Sequence, residues 1–497
     1  MSSILTNVSS LVALQTLKTI NMGLEKTQNE ISTGKSISSA KDNSAVWAIS
    51  KVMEADVSGF NAISESLALG ESTVAVARQA SETVTELLTD IKGKIVAAQE
   101  ENVDRTKIQT DIDALSDQIS SIVGAAQFNG LNLLSGTADV NILSSLDRAS
   151  DGSVTASNIT VNRQDLSSTA GSIGTGTSLT ANVTIEGGAS AIASAGNTGT
   201  IVIDTDTDVD GDAFSFTVAG ETVSVTGATG EDQDDVAAAL NSAINALGMT
   251  GVSSSVSTGT VTITSTRAFE DVSLVGTKNG GATGVTIAAA TIGERAESLT
   301  LSDAATVNEG DGYSVTIGTT AYSYIAGNNE SMSDVAAGLK TAIDNGSVSG
   351  VTVRATTNTS GQSVLKIDND GTGATSMALA VSGAADGTAS GGMFGLSGLN
   401  VSTNAGADAA LANIETLIGN SIDAAASFGS SQGRLETQAS FISKLTDSLN
   451  IGIGSLVDAD MEEASARLQA LQVQQQLGIQ SLSIANQAPQ SILSLFR

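Results

Sequence analysis

The chain has 497 residues with 53 acidic and 22 basic side chains, a formal net charge of -31, and neither Cys nor His. That charge excludes nucleic acid as a partner, since too few cations exist to replace the counterions on phosphates, and an anionic membrane surface repels the chain for the same reason. Without His or Cys there are no serine triads, cysteine nucleophiles, imidazole bases or ordinary zinc sites. The remaining carboxylates and lysines form no constellation that points to an enzyme or a cofactor.

The first thirty residues have no basic start, apolar core and small-residue cleavage site, so no Sec signal peptide is expected. No stretch approaches the roughly 18 uninterrupted apolar residues of a membrane span. Residues 1–33 read as one amphipathic helix, with Ile4, Val8, Leu11, Leu14, Leu17, Leu24 and Ile31 on its apolar side. Asn21 and Gln28 fall at seam positions, where a polar residue weakens the seam but can set its register. Ser32–Ser44 is polar and reads as a loop, and Asn43 or Ser44 caps a helix that continues to about Gln99.

That long helix carries two phases of a seven-residue repeat. One runs Phe60, Leu67, Val74, Ser81, Leu88, Ile95, and the other Ile63, Gly70, Ala77, Val84, Ile91, Ala98. Such a seam is buried only against another helix. Ile108, Ile112, Leu115, Ile119 and Ile122 predict a further helix, and QFNGLNLLSG (Gln127–Gly136) a turn into a hairpin.

From about 150 to 404 the texture becomes Gly, Ser, Thr, Ala and Val with short alternating strands. This segment holds 26 acidic and 7 basic residues, or -19 of the net charge, as suits a water-facing region. It contains an internal repeat. GDAFSFTVAG (Gly211–Gly220) matches GDGYSVTIGT (Gly310–Thr319), and DVAAALNSAI (Asp235–Ile244) matches DVAAGLKTAI (Asp334–Ile343), both at an offset of 99. The reading is a ββαββ-like module present twice. Asp206, Asp208, Asp210 and Asp212 resemble the first half of a Ca²⁺ loop, but the twelfth position is Thr217, so a solvated acidic turn is the stronger expectation and no metal is assigned. Beyond 405 helix returns: Ile414, Ser421, Phe428, Leu435, Ile442 and Leu449 keep the seven-residue step. Met461, Leu468, Gln475 and Leu482 keep one later phase, and Ala464, Leu471, Gly478 and Ala485 the other.

ISTGKSISSAKDNSAVWAIS (Ile31–Ser50), QFNGLNLLSG (Gln127–Gly136) and the C-terminal run Leu456–Arg497 resemble bacterial flagellins, the last most like alphaproteobacterial members. The resemblance covers about half the chain, at both ends and in the right order. It implies an α+β chain whose ends form a long coiled-coil-like helical bundle around a strand-rich outer insertion with two ββαββ-like repeats. The implied domains are 1–43 pairing with 455–497 as an inner coiled coil, 44–150 with 405–454 as an outer shell, and strand-rich modules at 151–290 and 291–404. The implied assembly seam comprises Leu11, Leu17, Leu24, Ile31, Phe60, Leu67, Val74, Leu88, Ile95, Leu435, Ile442, Leu449, Leu468, Leu471 and Leu482.

By that resemblance the chain is a secreted, extracellular filament subunit that polymerises with itself, its termini folding on assembly. Its implied partners are the flagellar type III export apparatus, an export chaperone, the filament cap and hook-associated junction proteins. Asp90–Gln99 lacks the Arg-Glu-Leu core of the stretch that engages the innate immune receptor, which implies weak or absent recognition. Two rivals stand beside this reading: a hook–filament junction protein, against which both terminal motifs are complete, and an adhesin using the repeated modules, whose aromatic content is thin. An enzyme is the weakest reading, because the metallopeptidase insertions of some flagellins need a His pair.

Overall fold

The computed structural model describes residues 7–136, 138–149, 153–203, 209–278, 284–302, 306–371 and 375–494. Helix α1 (Val8–Thr33) starts where the Asn7 side chain accepts the Ser10 N–H at 3.1 Å, and it stops at Gly34, whose φ of 68° is left-handed. The following loop is shaped by Asp42, whose carboxylate accepts the N–H groups of Ser38 (3.2 Å) and Ser39 (2.9 Å). Those Ser39 hydrogen bonds hold the Asp42 carboxyl below its usual range. Helix α2 (Ser44–Ala98) begins at the expected cap, with Asn43 Oδ1 accepting from Ala45 and Val46. Helix α3 (Arg105–Ala125) follows. The turn of Gln127–Gly136 forms β1 (Gln127–Phe128) and β2 (Leu131–Asn132) around Asn129 and Gly130, both with positive φ as a type I′ turn requires. A hairpin of β3 (Val140–Arg148) and β4 (Val154–Val161) comes next.

The strand-rich region opens with two short strands, β5 (Val183–Ile185) and β6 (Ala191–Ala193). Eight more and a helix follow: β7 (Asn197–Ile203), β8 (Ala213–Val218), β9 (Glu221–Thr226), α4 (Gln233–Ala246), β10 (Val252–Ser257), β11 (Thr260–Ser265), β12 (Val272–Lys278), β13 (Val285–Ile287) and β14 (Thr291–Ile292). The sequence then repeats as β15 (Glu297–Leu301), β16 (Gly312–Ile317), β17 (Thr320–Ile325), α5 (Met332–Asn345), β18 (Val351–Thr357), β19 (Ser363–Asn369) and β20 (Ser376–Ala384). The first module has sheets β10-β11-β7-β13 and β14-β12-β8-β9, and the second has β18-β19-β15-β5 and β17-β16-β20-β6.

Each module therefore holds two four-stranded antiparallel sheets and a helix, more than the ββαββ unit expected. Phe214, Phe216, Val236 and Leu240 fill the first core, and Tyr313, Val315, Val335 and Leu339 the second. The strand order departs from the expected division at residue 290. β5 and β6 lie inside the span expected for the first module, yet they complete the two sheets of the second, pairing with β15 and β20. In the first module the same two places are taken by β13 and β14, which follow it in sequence. The first module is thus inserted into the second. Its entry and exit adjoin, with Asn197 Nδ2 donating to the carbonyls of Gly293 (3.1 Å) and Glu294 (2.7 Å).

Helices α6 (Asn404–Val457) and α7 (Met461–Ser494) close the chain. No described helix is long and apolar enough to cross a membrane. The chain forms two compact bodies: residues 1–72, 141–161 and 430–497 make the first, and 73–140 and 162–429 the second.

Candidate assembly seams

In the first body α1 and α7 run antiparallel. Small residues set their approach: Gly478 lies against Leu17 and Ile20, and Gly23 against Leu471. Leu17, Leu24, Ile31, Leu468, Leu471 and Leu482 are half-buried along this contact. Asn21 Oδ1 accepts from Gln475 Nε2 at 2.8 Å, so two polar residues at seam positions form a cross-helix bond that holds only in one register. Asn7 Nδ2 donates to the Ala485 carbonyl (2.8 Å) and Ser10 Oγ to Asn486 Oδ1 (2.9 Å). Gln28 is exposed and takes no part, whereas Thr27 and Glu30 are buried. The pair is joined at its base, where Ser36 N–H donates to the Val457 carbonyl (2.7 Å) and Ala459 N–H to that of Gly34 (3.0 Å).

The other faces of this pair are apolar and open. Leu11 is 67% exposed and Ile484 68%, and Val8, Val12, Leu14, Met22, Val473, Leu477 and Ile479 are exposed beside them. A shallow groove of about 770 Å³ runs between the helices, lined by Val12, Ala13, Ile20, Leu477 and Ile484 among others.

The same body packs the first part of α2 with the last part of α6. Ile63, Leu67, Leu435 and Ile442 are buried, and Phe60 and Leu449 half-buried. The hairpin β3–β4 rests on α2 where Gly59 and Gly70 leave room for Leu146 and Ile142. It is tied down by Arg148 Nε donating to Asp56 (3.1 Å) and by Gln438 Nε2 donating to the Ser144 carbonyl (2.9 Å).

In the second body the later part of α2 meets the earlier part of α6, and both heptad phases are inside: Val74, Ala77, Val84, Leu88, Ile91 and Ile95 are buried with Ile414, Leu417 and Phe428. Ser81 and Ser421, polar breaks in two apolar series, are both 0% exposed. Ser421 Oγ donates to the Ser81 carbonyl (3.0 Å) and accepts from Thr85 Oγ1 (3.0 Å), which makes a single buried polar layer. Lys92 and Glu415 form an ion pair across the helices at 2.5 Å. Of the seam residues named from sequence, then, Leu67, Val74, Leu88, Ile95, Leu435 and Ile442 are covered within the chain, and Leu11 is bare.

A second polar cluster was not legible in the sequence. Lys340 Nζ on α5 donates to Asp344 (2.6 Å) and to Asn413 Oδ1 on α6 (2.8 Å), and Asn413 Nδ2 donates to Asp344 (3.2 Å). It seats the second module on the helices of its own body. Beside it Tyr324 Oη donates to both oxygens of Glu330, at 2.8 and 3.0 Å. Burial pushes both groups above their ordinary pKa values. Of the weak Ca²⁺ candidates, Asp206 and Asp208 lie outside the described residues. Asp210 accepts from Thr229 (3.0 Å), and Asp212 pairs with Lys278 at 2.5 Å.

The N-terminal helical region of bacterial flagellin matches residues 4–139, and the C-terminal helical region matches 411–496. Flagellin A of Rhizobium meliloti is 33% identical over 510 aligned positions, covering 100% of both chains. The chain belongs to the bacterial flagellin family. Flagellin B of Rhizobium meliloti is likewise 33% identical with full coverage of both chains, so the similarity to this flagellin includes the strand-rich middle. Among solved structures, a flagellar hook associated protein-3 from Legionella pneumophila is 9% identical, with 82% of this chain and 98% of that one covered and a TM-score of 0.32. A likeness that faint carries no argument. This flagellin is a structural subunit of the bacterial flagellar filament.

Proposed function

We propose that copies of this flagellin join chiefly through α1 and α7, and that this helix pair becomes stably ordered only on assembly. The observation that carries the reading is the bare apolar surface of the pair. Nine large apolar side chains, Val8, Leu11, Val12, Leu14, Met22, Val473, Leu477, Ile479 and Ile484, are each more than half exposed in the single chain. Each gains roughly 1.5–3 kcal/mol when fully buried. Two helices without a third are marginal in water, and neighbouring copies supply the missing cover.

On this reading residues 1–43 and 455–497 form the inner layer, 44–150 and 405–454 the next, and the modules within 151–404 project outward with their negative charge. The seam then divides in two: Leu11 faces neighbours, while Leu67, Val74, Leu88, Ile95, Leu435 and Ile442 stiffen each subunit from within. The export apparatus, an export chaperone, the cap and the hook-associated proteins are the partners proposed from family membership, with the extracellular filament as the destination.

The test is electron microscopy after addition of a precipitating salt, comparing the full chain with a variant lacking residues 1–33 and 456–497. Filaments from the full chain alone support the reading. Filaments from the shortened chain, or a full chain that stays monomeric with protease-resistant ends, overturn it.

A further inference from the structure

The two modules use one helix position in different ways. Position 344 of α5 is Asp, taken up by Lys340 and Asn413. Its counterpart 99 residues earlier is Asn245, in the last turn of α4, and this side chain turns onto the module's own sheet. Asn245 Oδ1 accepts the Ser254 N–H at 3.0 Å, and Asn245 Nδ2 donates to the Ser254 carbonyl at 3.0 Å. A primary amide that meets both backbone groups of one residue reproduces what a neighbouring strand offers. Asn241 steadies the arrangement by accepting from Asn245 Nδ2 (3.2 Å) and from Ser254 Oγ (2.8 Å).

Ser254 is the middle of β10, the outer strand of its sheet. The hairpin to β11 turns through Thr258 and Gly259, both with positive φ, and pairs Ser257 with Thr260. In a two-residue hairpin of that kind the flanking pair is hydrogen-bonded, so residues 257, 255 and 253 face β11. Residues 252, 254 and 256 therefore face outward. Val252 N–H is bonded to the Met249 carbonyl at 3.3 Å, and Ser254 is closed by Asn245. Among the described residues of this edge that leaves Val256 and the Val252 carbonyl open, one on each side of the plugged Ser254, whereas a strand from another molecule needs consecutive outward residues. Val252–Ser257 has no Lys, Arg or Pro of the kind that protects exposed edges. The matching strand β18 has no amide plug but carries Arg354, which lies over the Phe269 ring at 4.4 Å.

We propose that the Asn245 side chain is an edge plug, which keeps β10 from adding as a strand to the same edge of a second copy when modules are crowded together. Replacing Asn245 by Ala improves helix propensity in α4, so loss of the helix is not the expected effect.

The experiment uses the full chain in low salt, followed by sedimentation velocity, with circular dichroism melts to monitor folding. Asn245→Ala is expected to lose the monomer boundary in favour of dimers and larger species, and its salt-grown filaments are expected to bundle side to side. Adding Val256→Lys, which puts a charge on the open end of the edge, is expected to restore the monomer. An Asn245→Ala chain that stays as monomeric as the parent, or one whose association Val256→Lys leaves unchanged, overturns the proposal.

Discussion

Arg295 and Asp368 form a bidentate pair, Nε to Oδ1 at 2.8 Å and Nη2 to Oδ2 at 2.7 Å, with side chains only 9% and 4% exposed. The Asp368 hydrogen bonds raise the Arg295 pKa still further above its ordinary value, so the cation persists at any working pH. Arg295 sits where the chain returns from the first module to the second, and its N–H donates to the Arg267 carbonyl at 2.9 Å. Arg295→Met removes the guanidinium and leaves the Asp368 carboxylate buried without its counter-charge. Breaking a buried pair in this way costs about 3–5 kcal/mol, whereas replacing both partners by apolar groups of similar volume is close to neutral. Arg295→Met and Asp368→Leu alone are each expected to cost that amount, and the double variant to return to within about 1 kcal/mol of the parent.

The measurement is a urea melt followed by tyrosine fluorescence. All three tyrosines, Tyr313, Tyr322 and Tyr324, lie in the second module, while Trp47 lies in α2, so the signal reports the module concerned. A loss of 3 kcal/mol is a large share of the roughly 5–15 kcal/mol that holds a domain. Single variants that cost under about 1 kcal/mol, or a double variant no better than the singles, would refute the account, because desolvation of the surviving charge is its whole basis.

Two further outcomes are expected. Burial raises the Glu330 pKa in the folded chain above its ordinary value of 4.5, so the native state binds the extra proton; the contribution of this group to stability is full below 4.5 and is lost as pH rises through the folded pKa. In melts across that window Glu330→Gln should flatten this dependence, and an unchanged slope would sink the assignment. Gly70→Ala gains about 1 kcal/mol of helix propensity but sets a Cβ 2.5 Å from Ile142 Cδ1, an overpacking of about 1–3 kcal/mol. It should therefore lower the melting temperature, and should cost less in an Ile142→Ala background; additive effects would show that the hairpin does not rest there.

What could be read from sequence follows from the range of each interaction. The α2 and α6 seams were legible because a seven-residue period survives over six successive positions in each helix, and the repeat because the segments that form β8 and α4 match those of β16 and α5 at an offset of 99. Beyond the helices that offset drifts, since a two-residue turn at Thr258–Gly259 is answered by the longer loop 358–362. β5 and β6 were not legible at all: three-residue strands carry no periodicity, and their partners lie more than 110 residues away. The Ser81–Thr85–Ser421 layer looked like two defects in two separate patterns, because only the packed helices bring one defect against the other.

The insertion of one module into the other also accounts for how the copies have diverged. The α5 face bearing Lys340, Thr341 and Asp344 is covered by α6 and the glycine-rich turn at Gly395, so it carries a buried charge pair with its own hydrogen-bonded partner on the helix beneath. The equivalent α4 face bears Asn241, Ser242 and Asn245, which are neutral and small: Asn245 donates to Asn241 and closes the β10 edge, and Ser242 Oγ donates to the Ala238 carbonyl of its own helix. A Lys–Asp pair in that solvated place contributes little, whereas a neutral amide there closes an otherwise open strand. The two copies thus use equivalent helix faces differently: α5 is held to α6 by a charged cluster, and α4 turns its amides onto the edge of its own sheet.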